Sequence, residues 1–193
     1  MNFLAHGYLS RHSESLLLGN FIGDFVKGRN MDHFAPEIVR GIRMHRNIDE
    51  FTDSHPVFIR SKNRIREKYR HYTGVIIDVF YDHFLAANWK DYNTEEDLPA
   101  FCDKLYNIIS VHYDMLPDAA KEIIPWMKKY NWLLNYATIE GIDRSLKGMS
   151  RRTPFKSGME YASGDLRIFY REFSEDFNEF FPDLMSHTRV AFP

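Results

Sequence analysis

The chain has 193 residues, 44% of them hydrophobic and 27% charged, with a formal net charge of -2. That length fits one domain, or at most two small ones, and the composition excludes a disordered chain. The charge excludes a strongly basic nucleic-acid binder, no apolar run approaches the roughly 18 residues that cross a membrane, and the lone Cys102 excludes an intrachain disulfide.

The periodicity is helical nearly throughout. Ser13 reads as the N-cap of a helix over residues 14–27, with Gly28 as its stop. Pro36 opens a second helix at its first turn, ending near residue 53 before Pro56. A third covers residues 57–71, and Gly74 separates it from a fourth over 75–90. Residues 91–97 are a polar loop, and 96–114 a fifth helix that Pro117 breaks. Asp118 caps a short helix that Pro125 ends or kinks, and a further run covers 126–136. Thr138 caps 139–149, residues 150–164 are the least regular part, and 165–190 read as one or two helices interrupted near Pro182. No convincing alternating strand pattern and no internal repeat are found. The expected fold is all-α, a single helical domain (residues 1–193) of about eight or nine helices. MNFLAHGYLSRH has neither the basic start nor the apolar stretch of a signal peptide, and the single cysteine suits a reducing compartment, so a cytoplasmic location is expected.

Most charges sit where a solvated face would put them, but one set does not. Asp24 lies in NFIGDFV among apolar residues. His45, Asp49 and Asp53 are spaced i, i+4, i+8, and Asp78 and Asp82 i, i+4, with His83 adjacent. Residues four apart stack on one helix face, so two carboxylates there repel unless something positive lies between them. A divalent cation is the economical solution, and mixed histidine and carboxylate donors suit Mn²⁺, Fe²⁺ or Zn²⁺ better than Ca²⁺ or Mg²⁺. The alternative is that these aspartates pair with Arg43, Arg46 or lysines, or cap helix ends. His6 joins the set as a further histidine. The run Arg60, Lys62, Arg64, Arg66, Lys68, Arg70 faces a single acid, Glu67. It is either a helix paired with the acidic segment Glu172–Asp183 or a dock for an acidic partner. Arg151 and Arg152 suit phosphate binding or form a surface pair. Phosphate-cradling glycine loops, His-Glu-x-x-His and the GxSxG elbow are absent.

The blocks NFLAH (2–6), GNFIGDFVKG (19–28), HRNIDEFTD (45–53), DVFYDHFL (78–85) and GMSRR (148–152) resemble the acyl-carrier-protein phosphodiesterase family, in order and spacing. The resemblance covers residues 1 to about 152. It implies an HD-phosphohydrolase-like helical fold and removal of the 4′-phosphopantetheine arm from holo acyl carrier protein by metal-activated water. It also implies a divalent metal, typically manganese, with Mg²⁺, Fe²⁺ or Zn²⁺ as alternatives. The family's polar positions fall on His6, Asp24, His45, Arg46, Asp49, Asp53, Asp78, Asp82 and His83. Asp82-His83 stands in the reverse order of the HD signature, so ligands do not follow by copying. The chemistry then suggests Asp24, His45, Asp49 and Asp82 as ligands, and Asp53 and Asp78 as residues that orient them. His83 or His6 would be a further ligand or would protonate the leaving serine oxygen, and Arg46 would hold a phosphate oxygen. Arg60, Arg64 and Lys68, with Arg151 and Arg152, would dock the acidic carrier protein. The competing readings are a related metal phosphohydrolase for a nucleotide or another small phosphodiester, and a non-catalytic binding protein.

Overall fold

A computed structural model describes residues 1–28 and 31–193. Among the described residues there is no strand. The α-helices are α1 (Phe3–Leu9), α2 (Glu14–Ile22), α3 (Pro36–Ser54), α4 (Pro56–Tyr69), α5 (Thr73–Ala87) and α6 (Trp89–Tyr92). They continue with α7 (Leu98–Val111), α8 (Asp118–Lys129), α9 (Trp132–Asn135), α10 (Ile139–Arg152), α11 (Ala162–Ile168) and α12 (Tyr170–Ala191). Eight of them have nine or more residues, in keeping with the all-α expectation.

Side-chain caps set several of the starts. The Ser13 hydroxyl accepts from Leu16 N at 3.4 Å, and Thr138 Oγ1 from Gly141 N at 3.1 Å. Other boundaries depart from the periodicity. The helix expected over 14–27 stops at Ile22 and tightens into a 3₁₀ turn, Gly23–Phe25, which swings Asp24 off the helix. Neither Pro125 nor Pro182 ends its helix. Both are exposed, so water can satisfy the carbonyl that each proline leaves without a partner. The run expected over 126–136 is split at Asn131, whose φ of 43° is left-handed. The seven-residue α1 was too short to show a period.

α5 is apolar nearly all round and runs through the core, with Ile76, Ile77, Val79, Phe80, Phe84 and Leu85 at 0% exposure. Rings of α12 pack on it: Phe173 meets Phe80 at 5.2 Å and Phe180 meets Tyr81 at 5.3 Å. Each such ring contributes about 2–3 kcal/mol on burial. The crossing of α2 and α3 is nearly backbone to backbone. A Cβ on Gly19 would stand 2.1 Å from the Ile38 carbonyl oxygen, and one on Gly41 2.3 Å from that of Leu16.

The basic face of α4 is turned inward onto the C-terminal helices. Arg60 Nε donates to Asp176 at 2.7 Å, and its guanidinium also reaches Glu179 at 2.6 Å. Arg64 Nη1 donates to Asp176 at 2.6 Å and Lys68 Nζ to Asp165 at 2.7 Å. Asp176 is only 2% exposed, and an uncompensated charge there would be costly. Arg60, Arg64 and Lys68, expected to dock a partner, hold α4 to α11 and α12 through these pairs.

Candidate metal centre

The α2–α3 crossing brings three helices to one point. His6 comes from α1, Asn20 from α2, and His45 and Asp49 from successive turns of α3. The two imidazoles stack with centroids 4.0 Å apart and planes at 20°. Asn20 orients both. His6 Nδ1 donates to Asn20 Oδ1 at 2.8 Å, and Asn20 Nδ2 donates to the His6 carbonyl at 3.0 Å, which fixes the amide's direction. His45 Nδ1 donates to the Asn20 backbone carbonyl at 2.8 Å. Each ring therefore presents Nε2 toward the carboxylates.

His6 Nε2 lies 3.2 Å from Asp49 Oδ1, and His45 Nε2 lies 3.1 Å from Asp49 Oδ2. Asp24, delivered by the 3₁₀ turn, places Oδ1 3.2 Å from His45 Nε2. The donor atoms of His6, His45 and Asp49 all fall within 4.8 Å of one another, a grouping able to hold a metal ion. Gly23 lets the turn come this close: a Cβ there would sit 2.3 Å from the His45 ring.

Asp24 and Asp49 open onto a cleft of about 520 Å³, also lined by Asp53, Asp78, Thr52 and Arg152. The Thr52 hydroxyl is buried there without a hydrogen-bond partner. Electrostatics follow from this crowding. Burial works against the charge of His45, but hydrogen bonds to Asp24 and Asp49 win and lift its pKa to about 9. Burial lowers that of His6, and the neighbouring His45 adds to the drop. Burial also opposes ionisation of Asp49 and Asp24, yet hydrogen bonds from His45 hold both below the usual carboxylate range. One proton on the stacked pair thus serves two carboxylates, the role a cation would take over.

The remaining expected residues stand elsewhere. Asp82, expected as a ligand, is fully buried and caps α1: Oδ1 accepts from Asn2 N at 3.3 Å and Ala5 N at 3.2 Å, and Oδ2 from Leu4 N at 2.8 Å. Its burial pushes the pKa up to about 7 against the pull of those donors. His83, expected as ligand or acid, has both nitrogens occupied, Nδ1 at the Tyr136 carbonyl (2.8 Å) and Nε2 at the Tyr170 hydroxyl (3.1 Å). Arg46, expected to hold phosphate, donates to the Val26 and Gly28 carbonyls at 2.9 and 2.8 Å and ties down the strand-like segment after the 3₁₀ turn. Asp53 pairs with Lys62 at 3.3 Å and Asp78 with the Met1 amino group at 2.8 Å, both at the cleft wall. Arg151 is exposed, and Arg152 lies with its guanidinium 5.2 Å from the Trp132 ring centre. Asn20 was missed. The signal available was an amide inside the apolar run GNFIGDF, where a polar side chain needs a partner.

The sequence model of one family, Acyl carrier protein phosphodiesterase, matches residues 1–184, which extends the likeness well past residue 152. A protein of that name from Photorhabdus laumondii subsp. laumondii is 36% identical over 185 residues, 96% of this chain and 93% of its own. One from Yersinia enterocolitica is 33% identical over 189 residues, 98% of each chain, and one from Salmonella agona 32% over 191 residues, 96% of each. No solved structure matches the chain, so the HD-type likeness rests on the sequence resemblance alone.

Proposed function

The chain belongs to the acyl carrier protein phosphodiesterase family, and we propose that it hydrolyses the phosphodiester joining 4′-phosphopantetheine to the serine of holo acyl carrier protein. Water attacks phosphorus, the bond from phosphorus to the serine oxygen breaks, and that oxygen takes up a proton. The products are apo carrier protein and 4′-phosphopantetheine.

The observation that carries the reading is the shared anchoring of both Nδ1 atoms on Asn20, which leaves two Nε2 atoms facing Asp49. Imidazole and carboxylate donors together fit a divalent transition ion, and the partnerless Thr52 hydroxyl adds a polar group at the same cleft. His6, His45 and Asp49 would hold the ion, with Asp24 beside them, and Mn²⁺ is the ion proposed. When bound, it supplies the acidity that makes water a nucleophile near neutral pH and the charge that offsets the phosphoryl oxygens. The exposed Asp24 carboxylate orients the attacking water and accepts its proton. Arg152, on the cleft wall, binds a non-bridging phosphate oxygen, the task first expected of Arg46. Asn20 keeps both rings in the tautomer that ligation needs.

The test is intact-mass analysis of holo acyl carrier protein incubated with the protein, once with Mn²⁺ and once with EDTA. Loss of the arm with Mn²⁺ alone supports the reading. An unchanged mass, with protein loaded with metal, overturns it.

A further inference from the structure

A second cleft, of about 720 Å³, adjoins the acidic one, within the roughly 300–1,000 Å³ of small-molecule sites. The two share Met149 and Arg152 as wall residues, and Tyr136 of the second cleft receives a hydrogen bond from Asn2 of the first at 3.4 Å. Their characters differ. The first holds four carboxylates (Asp24, Asp49, Asp53, Asp78), whereas the second has no acidic lining residue and four cations, Arg144, Lys147, Arg151 and Arg152. Its outer wall is aromatic. Trp126 and Tyr130 stack at 6.1 Å with planes 4° apart, yet are 53% and 52% exposed. The Lys129 ammonium lies 5.7 and 5.4 Å from their centroids, and the half-exposed pair still offers a flat apolar surface beside the acidic cleft. Trp132, under the Arg152 guanidinium, forms the floor toward the junction. Arg144 and Lys147 are engaged by Asn135 and Asp143, at 2.9 and 2.6 Å. The Arg151 side chain has no ion pair among the described residues, and neither it nor the Ser145 hydroxyl has a hydrogen-bond partner there.

We infer that this aromatic cleft seats the pantetheine arm of the substrate, with Arg152 at the junction gripping the phosphate. The inference rests on the hydrolytic reading of the acidic cleft. The arm and the serine are bonded to the same phosphorus, so the arm must lie in space contiguous with the site of attack. An uncharged chain with a gem-dimethyl carbon, a hydroxyl and two amides linked by methylenes, ending in a thiol, is what flat aromatic walls with a few polar groups bind. The cleft also binds the arm independently of hydrolysis, and the released 4′-phosphopantetheine is a ligand for it.

Two measurements test this separately from the reaction. The first follows tryptophan fluorescence of the metal-free protein titrated with 4′-phosphopantetheine, pantetheine and apo carrier protein. Two of the three tryptophans, Trp126 and Trp132, line the cleft, while Trp89 is buried at 3% exposure. A saturable change with 4′-phosphopantetheine, weaker with pantetheine and reduced in Trp126→Phe, supports the proposal. A change with apo carrier protein and none with either small molecule overturns it, and makes the cleft a protein dock. The second is steady-state hydrolysis of holo carrier protein by Trp126→Ala/Tyr130→Ala, with Val111→Ser, exposed on α7 and outside both clefts, as control. We expect KM to rise about tenfold, with most of the loss in KM rather than kcat. A wild-type enzyme that turns over while the double variant keeps its KM overturns the arm site and leaves the hydrolytic reading intact. If the wild type does not turn over, the hydrolytic reading falls, and the titration alone decides the cleft.

Discussion

Asn20→Ala removes a side chain that hydrogen-bonds both the ring and the backbone carbonyl of His6. The cost can be worked out atom by atom. The His6 carbonyl keeps a second donor, the Ser10 hydroxyl at 2.8 Å, so losing Asn20 Nδ2 is cheap. The His6 Nδ1–H, on a residue 2% exposed, is left with no acceptor, a penalty of about 1–3 kcal/mol. His45 is unaffected at Nδ1, because its acceptor is the Asn20 backbone carbonyl, which alanine retains. The His6 ring is then free to turn or to take the other tautomer, which aims an N–H at Asp49 instead of a lone pair. Loss of such an orienting partner typically costs 10–100-fold in metal affinity, about 1.4–2.7 kcal/mol. The assay is competition for Mn²⁺ against a chromogenic chelator, run beside thermal melts to separate ligation from folding. Asn20→Asp keeps an acceptor for the His6 Nδ1–H but sets its other carboxylate oxygen against the His6 carbonyl in a fully buried site, so it should melt lower than wild type while still orienting the ring. A folded Asn20→Ala protein that binds Mn²⁺ as tightly as wild type would refute the reasoning, since His6 would not then be a ligand held by Asn20.

Three further outcomes are expected. The pKa of His45 is lifted to about 9 against about 6.5 unfolded, so its contribution to stability is full below pH 6.5 and disappears as pH rises through 9. In chemical denaturation, the metal-free protein should lose on the order of 3 kcal/mol across that window, and added Mn²⁺ should flatten the slope by replacing the proton; a flat metal-free profile would contradict the His45 pairing. Asp82→Ala leaves three backbone N–H groups at the start of α1, those of Asn2, Leu4 and Ala5, without their acceptor and should cost about 3 kcal/mol or more, a Tm drop of roughly 10 °C, whereas a ligand role would show as lost Mn²⁺ binding at unchanged Tm. Arg64→Glu sets a like charge against buried Asp176, which keeps Arg60 and Ser61; the expected loss is about 1–3 kcal/mol of stability, with kcat/KM for holo carrier protein unchanged in the folded fraction, and a salt-dependent fall in kcat/KM would restore the docking role.

Helicity, the caps at Ser13 and Thr138 and half of the metal centre were legible in the amino-acid order, because they are local, whereas Asp118, expected as a cap, is the first helical residue of α8 behind Pro117. A side-chain cap such as Ser13 or Thr138 acts within three residues, and i, i+4 spacing on α3 places His45 beside Asp49 wherever that helix lies. The same spacing on α5 misled. Asp78 and Asp82 share a helix face, yet that face meets the start of the chain, so one binds the Met1 amino group and the other caps α1. Periodicity tells which residues share a face and is silent on what packs against it. The charge run on α4 suits either internal pairs or a dock, and only the position of α12, lying across it, decides its partners. His6 and Asn20 are fourteen residues apart on different helices. Gly19 and Gly41 then let α3 come close enough to α2 for the Asn20 backbone carbonyl to take His45 Nδ1 while the Asn20 side chain holds His6, a condition of tertiary contact that no local pattern encodes.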